Sequence, residues 1–139
     1  MIWRSLTQYR DVGLLILRVG IGLMFMLHGW PKLAGGAVVW ERVGGALGLF
    51  GITFWPAFWG FMAAITEFCG GLLLIAGAFF RPAVLAMAFV MLVASTMHID
   101  KQVTGLGDLA KYAGHPLEMF ILFISLLLIG PGKYSADRT

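Results

Sequence analysis

The chain has 139 residues, of which 60% are hydrophobic and only 12% are charged, and its mean hydropathy is +0.88. A soluble domain carries about 25% charged residues, so this sequence could not keep a protein surface hydrated. The single cysteine, Cys69, excludes an intramolecular disulfide and a thiolate zinc site. The net charge of +3 is not gathered into a basic run with interleaved aromatics, which argues against a nucleic-acid partner. The lipid bilayer is therefore the expected surrounding.

Four apolar segments are each long enough to cross a bilayer as a helix, which needs roughly 20 residues. They cover residues 12–30, 57–80, 82–99 and 115–130. Arg81 and Pro82 mark a tight turn between the second and third segments, and the sequence Gly-Pro-Gly at 130–132 ends the fourth. The sequence predicts an all-α fold, with residues 1–139 forming a single membrane domain built as an antiparallel four-helix bundle.

The connection between the first two segments, residues 34–56, is too apolar for an ordinary loop and too rich in glycine for another span. The pattern predicts a short helix over residues 38–50 that lies at the membrane interface or dips into the bundle. An aromatic belt is expected on the same side of the membrane. Its members are Trp30, Trp40, Trp55 and Trp59.

The lysines and arginines of the connections indicate the orientation of the bundle. The side that holds both termini has five of these residues: Arg4, Arg10, Arg81, Lys133 and Arg138. The opposite side has four: Lys32, Arg42, Lys101 and Lys111. The excess predicts that both termini lie on the cytoplasmic side of the inner membrane.

Five ionisable side chains lie within or at the ends of the apolar segments, where each costs about 2.5–3.5 kcal/mol at mid-helix and so needs a partner or a purpose. Neighbouring spans run in opposite directions, so Arg18 and Glu67 are both expected near the midplane as an ion pair, either structural or catalytic. The other three are expected to meet in the outer half of the bundle, where the spans begin or end. They are His28, His98 and Glu118.

Other residues are expected to serve packing. His115 is predicted to lie at the surface, at the start of the fourth helix. The eight methionines are expected to be packing residues of an apolar core rather than a copper relay. Several glycines are expected to let membrane helices approach closely. They are Gly20, Gly22, Gly29, Gly70 and Gly71.

Three stretches together resemble the DoxX family of small bacterial and archaeal membrane proteins. They are "LRVGIGLMFMLHGWPKL", "EFCGGLLLIAGAFFRP" and "HPLEMFILFISLLLIGPGKYS", with His98 between the last two. The resemblance covers nearly the whole chain. It implies a four-helix membrane bundle that is associated with quinone-linked or thiol-linked redox complexes, as in the membrane subunit of thiosulfate:quinone oxidoreductase.

The leading functional hypothesis is an oxidoreductase subunit that binds a quinone, or a similar apolar redox molecule, in the outer half of the bundle. Its electrons would come from a redox partner protein, because the sequence has no recognisable flavin or iron–sulfur motif. The catalytic candidates are His28, His98 and Glu118. The substrate-binding candidates are Arg18, Glu67 and Trp59.

Two alternatives remain open at the level of sequence. In the first, the protein is a scaffold or assembly factor that holds a soluble oxidoreductase at the membrane without doing chemistry. In the second, His28, His98 and Glu118 form a metal site with two histidines and one carboxylate, or the two histidines ligate a haem. Homo-oligomerisation is also left open.

Overall fold

A computed structural model describes residues 5–137, except for the side chains of residues 100–102. The secondary structure of the described chain is entirely helical, with five principal helices joined by turns and short irregular segments. They are α1 (Arg10–Ala34), α2 (Gly36–Gly44), α3 (Pro56–Ala76), α4 (Phe80–Gln102) and α5 (Gly114–Ile129). Shorter turns complete the chain: 3-10 turns at Leu6–Tyr9 and Gly45–Phe50, an α-turn at Leu106–Asp108 and a π-turn at Leu109–Ala113.

Four helical segments of the described chain are long and apolar enough to span a membrane: Leu6–Ala34, Pro56–Ala76, Phe80–Ile99 and Leu106–Ile129. The predicted all-α membrane bundle is therefore confirmed. The fourth segment begins nine residues earlier than predicted, because helical turns occupy residues 106–113, which were predicted to connect the third and fourth spans. Two of the arginines that were counted for the orientation, Arg4 and Arg138, lie outside the described residues.

The short helix predicted over residues 38–50 is present as α2 and the 3-10 turn that follows it. It packs directly on the beginning of α3, and glycines make this contact close. A Cβ atom on Gly44 would collide with the carbonyl of Pro56, and one on Gly60 would collide with the carbonyl of Trp40. The segment is therefore packed directly against the bundle.

The core of the bundle lies between α1, α3, α4 and α5. Phe25 and Phe123 meet edge to face with ring centroids 5.0 Å apart, and Leu74, Phe80 and Leu126 are almost completely buried around them. Many apolar side chains instead point away from the core. Their exposure is the arrangement expected of helices that are solvated by lipid.

The C-terminal segment after α5 folds back across the turn between α3 and α4. The backbone N–H of Ala136 donates to the carbonyl of Ala76, and that of Asp137 donates to the carbonyl of Gly77. The Asp137 carboxylate accepts hydrogen bonds from the backbone N–H groups of Phe79 and Phe80, at 3.0 and 2.8 Å. These contacts satisfy backbone groups that a helix end leaves without partners.

Candidate functional site

An ion pair between Lys32 and Glu67 is the polar centre of the half of the bundle that contains α2. Lys32 lies in the last turn of α1, and its Nζ donates to both carboxylate oxygens of Glu67, at 2.6 and 2.7 Å. The Glu67 side chain is only 3% exposed, whereas that of Lys32 is 35% exposed. The lysine therefore supplies the charge that allows a carboxylate to remain buried in α3.

The predicted ion pair between Arg18 and Glu67 is wrong. Arg18 is 1% exposed and donates to the carbonyls of Leu74 and Ile75, at 3.0 and 2.8 Å, in the last turn of α3. It also donates at 2.8 Å to the carbonyls of Pro131 and Tyr134 in the C-terminal segment.

The difference has two physical causes. Arg18, about two turns from the start of α1, lies level with the last turn of α3, which is about two turns beyond Glu67 along that helix. The last carbonyls of a helix have no intrahelical donors and carry a partial negative charge, which suits a guanidinium. Arg18 is therefore a structural clamp at the end of the bundle opposite to α2, and it is not part of the candidate site.

Two cavities flank the Lys32–Glu67 pair. The first, here the histidine cavity, has a volume of about 250 Å³ and is lined by His28, His98 and His115 among others. The second, here the apolar cavity, has a volume of about 370 Å³ and lies between α2, α3 and α4. Four residues line both: Lys32, Glu67, Ala94 and His98. The ion pair and His98 therefore form a polar wall shared by the two cavities.

The apolar cavity is walled mainly by aliphatic and aromatic side chains. Val43 and Leu47 come from the α2 segment, and Phe89 and Val90 from α4. Trp59, a substrate-binding candidate from the sequence, also lines this cavity, and its Nε1 donates to the carbonyl of Phe54 at 3.1 Å. That bond holds the polar edge of the indole and leaves the rest of the ring available for apolar contact.

The histidine cavity brings together a different set from the one predicted. His28 and His115 lie with ring centroids 5.9 Å apart, and His98 lies on the wall shared with the apolar cavity. Glu118 is exposed and lines neither cavity, so its predicted convergence with His28 and His98 is wrong. His115, predicted to lie at the surface as the first residue of its span, is exposed and also lines this cavity.

The position of the fourth helical segment explains why His115 lines the cavity and Glu118 does not. Helical structure begins at Leu106, so His115 lies well inside the helical segment rather than at its start. His115 and Met119 are one turn apart and both face the cavity, whereas Glu118 lies about 100° around the helix from Met119. Sequence reasoning also left Lys32 outside the site, although its position four residues after His28 predicts the same helix face.

The metal hypothesis can be tested on the same geometry. Among residues 5–137, with the side chains of 100–102 excepted, no three His, Cys, Asp or Glu side chains lie close enough to hold a metal ion. The proposed set of His28, His98 and Glu118 therefore does not form a site with two histidines and one carboxylate.

Comparisons with known proteins agree with the architecture. The family model described as DoxX matches residues 13–99. The chain is also 30% identical, over 132 residues, to the inner membrane protein YqjF of Escherichia coli K12, and the match covers 94% of each chain. No solved structure matches. The family model covers α1 to most of α4, the relative covers nearly the whole length, and the chain therefore belongs to the DoxX family of membrane proteins.

Proposed function

We propose that this protein is the membrane subunit of a quinone-linked redox complex, and that the apolar cavity binds the quinone ring. One observation carries the proposal: an apolar cavity of about 370 Å³ ends at a partly buried ion pair and a histidine. Small-molecule sites are mostly apolar and have a few polar groups that fix orientation, typically with volumes of about 300–1,000 Å³. The cavity has this character and this size.

The polar wall has the groups that quinone chemistry requires. Reducing a quinone to a quinol adds two electrons and two protons, so its carbonyl oxygens need hydrogen-bond donors and a route for protons. Lys32 and His98 are the donors on the wall, and the Glu67 carboxylate can accept a proton and release it. Because the chain has only one cysteine, it cannot supply the four thiolates of an iron–sulfur cluster, and the electrons come from a partner protein.

The route to the cavity also suits a ligand that is dissolved in lipid. Met62 and Phe89 line the cavity and are 42% and 60% exposed on the outer surfaces of α3 and α4. In a bilayer these surfaces face hydrocarbon, so an apolar molecule can enter from the side without crossing water.

We infer the cellular location from the relative and from the charge count. YqjF is an inner membrane protein, and the same membrane is proposed for this chain, with both termini in the cytoplasm. Fusions of a cytoplasm-active and a periplasm-active reporter to the C-terminus test the orientation. Activity of the periplasmic reporter alone would reverse it.

Titration of a short-chain quinone into detergent-purified protein tests the binding proposal, with tryptophan fluorescence as the readout. Quenching should occur in the wild type and should be smaller in Trp59→Phe, because Trp59 lines the cavity. His98→Ala should weaken binding by roughly five-fold to more than a hundred-fold, which corresponds to about 1–3 kcal/mol for a lost hydrogen bond.

His115→Ala is the matched control, because His115 lines only the histidine cavity. Its quinone affinity should equal that of the wild type. If the wild type binds no quinone, the scaffold hypothesis replaces this proposal. If His115→Ala weakens binding as much as His98→Ala does, the ring occupies the histidine cavity instead.

A further inference from the structure

Two histidine–methionine pairs with the same four-residue spacing and opposite order along the chain line the histidine cavity. On α1, Met24 and His28 are four residues apart, and on α5, His115 and Met119 are four residues apart. This spacing places each histidine above its methionine on one face of the helix. All four side chains line the same cavity, which therefore has two imidazoles and two thioethers contributed by two facing helices.

The distance between the imidazoles suits a single ion bound between them. A metal–nitrogen bond of about 2.0 Å, with the ring centroid about 1.1 Å behind the nitrogen, allows two rings on one ion to lie up to about 6.2 Å apart. The ring centroids of His28 and His115 are 5.9 Å apart and the rings are inclined by 36°. The centroid separation is therefore within the reach of one shared ion.

The orientation of His28 is held as it is in many metal-binding histidines. Its Nδ1 lies 2.8 Å from the carbonyl oxygen of Met24 and, because a carbonyl only accepts, Nδ1 carries the proton. In the neutral tautomer that makes this bond, the lone pair is on Nε2, the nitrogen that can bind a metal. Metal-ligating histidines usually donate their other N–H to a backbone carbonyl or a carboxylate, which fixes the tautomer and the ring orientation.

The donor atoms select the kind of metal. Thioether sulfur is a soft ligand and favours Cu(I), whereas Mg²⁺, Ca²⁺ and Mn²⁺ prefer carboxylate and carbonyl oxygens. The carboxylate of this cavity, Glu67, is already bound at 2.6 and 2.7 Å by Lys32, which also neutralises its charge. A cation in the cavity would therefore meet imidazole and thioether, without an uncompensated lysine beside it.

We propose that His28, Met24, His115 and Met119 form a Cu(I) site in the histidine cavity. Both histidines are exposed, and His28 lies within the last two turns of α1, toward the membrane interface, so the ion reaches the cavity without crossing the packed core. The site is separate from the apolar cavity and does not depend on quinone binding.

Competition between the purified protein and a chromogenic Cu(I) chelator, under anaerobic reducing conditions, tests the site. The experiment uses a Cys69→Ser background, because Cys69 is an exposed free thiol on α3 and its thiolate would bind Cu(I) independently. One equivalent of Cu(I) should bind. His28→Ala and His115→Ala should each weaken it by roughly ten-fold or more, since loss of even an outer-shell partner costs about 10–100-fold.

The methionines give a test that leaves the fold intact. Met24→Leu combined with Met119→Leu keeps the apolar volume but removes both sulfurs, and it should also weaken Cu(I) binding by roughly ten-fold. Met62→Leu, in the apolar cavity, is the matched control and should have no effect. The proposal is overturned if the Cys69→Ser protein binds no Cu(I), if the histidine variants bind it normally, or if Met62→Leu weakens binding as much as the double variant does.

Discussion

The Nζ of Lys32 lies 2.6 and 2.7 Å from the two carboxylate oxygens of Glu67, and this ion pair separates the two cavities of the bundle. The two partners are unequally buried, since the side chain of Glu67 is 3% exposed and that of Lys32 is 35% exposed. A long lysine side chain can turn its ammonium toward the interface, whereas a carboxylate in the middle of α3 cannot move to water. Loss of the partner of Glu67 should therefore destabilise the protein more than loss of the partner of Lys32.

Lys32→Met should lower the thermal stability of the protein in detergent more than Glu67→Gln does. The first change leaves a buried carboxylate unpaired, which costs about 3–5 kcal/mol, whereas the second leaves a lysine that can reach solvent. The double variant Lys32→Met/Glu67→Gln should regain part of the loss caused by Lys32→Met. Thermal unfolding of all three gives the order, and a larger loss in Glu67→Gln would contradict it.

The sequence predicted the spans well because each is a long apolar run. In lipid, a helix satisfies the hydrogen bonds of the backbone within the run itself. It predicted the partner of Glu67 wrongly for a related reason. Lys32 was counted as a loop charge, but α1 continues through Pro31 to Ala34 and carries Lys32 with it. The depth of a residue in the membrane was estimated from the centre of its apolar run. That estimate leaves out helical residues beyond the run, such as residues 31–34 of α1.

The partners of Arg18 could not be predicted from side-chain types at all. The guanidinium is satisfied by four backbone carbonyls, two of them in a segment more than 110 residues away in sequence. Every residue has a backbone carbonyl, so the sequence does not indicate which carbonyls Arg18 will contact. His115 was missed because the π-turn Leu109–Ala113 and the helical start at Leu106 set its depth, and neither has a strong sequence pattern.

Arg18→Lys should destabilise the bundle and release the C-terminal segment. Hydrogen bonds from charged groups contribute about 1.5–3 kcal/mol each, and a single ammonium cannot reach the four carbonyls that the guanidinium fork does, so a loss on the order of 3 kcal/mol is expected. Hydrogen exchange at Ala136 and Asp137 should accelerate, since their N–H groups are bonded to the end of α3 and the following turn.

Arg10→Lys is the control for this change, because Arg10 is exposed at the start of the same helix. It should leave both the melting temperature and the exchange rates unchanged. If Arg18→Lys behaves in the same way, the guanidinium is not what holds the C-terminal segment to α3.

Asp137→Ala should remove the cap of α4. Its carboxylate oxygens accept the N–H groups of Phe79 and Phe80, so the loss should be about 0.5–2 kcal/mol, the range for a removed helix cap. Asp137→Asn should cost less, because an amide oxygen still accepts one of the two bonds. Comparing the melting temperatures of the two variants checks the assignment, which an equal loss in both would contradict.

Gly22→Ala should separate α1 from α3, whereas Gly20→Ala, two residues away on the same helix, should be harmless. A Cβ on Gly22 would lie 2.6 Å from the carbonyl oxygen of Gly71 and 2.6 Å from Ile75 Cγ1, but one on Gly20 would meet nothing within 4 Å. Alanine is a better helix former than glycine by about 1 kcal/mol, so Gly20→Ala should be neutral or slightly stabilising.

Both variants gain the same helix propensity, so the difference in stability between them measures the steric clash at Gly22. Melting temperatures in detergent should fall clearly for Gly22→Ala and not for Gly20→Ala. Quinone binding should weaken with the first, because Lys32 on α1 and Glu67 on α3 meet across the same helix contact. Equal melting temperatures for the two variants would show that α1 and α3 are not held in direct backbone contact at Gly22 and Gly71.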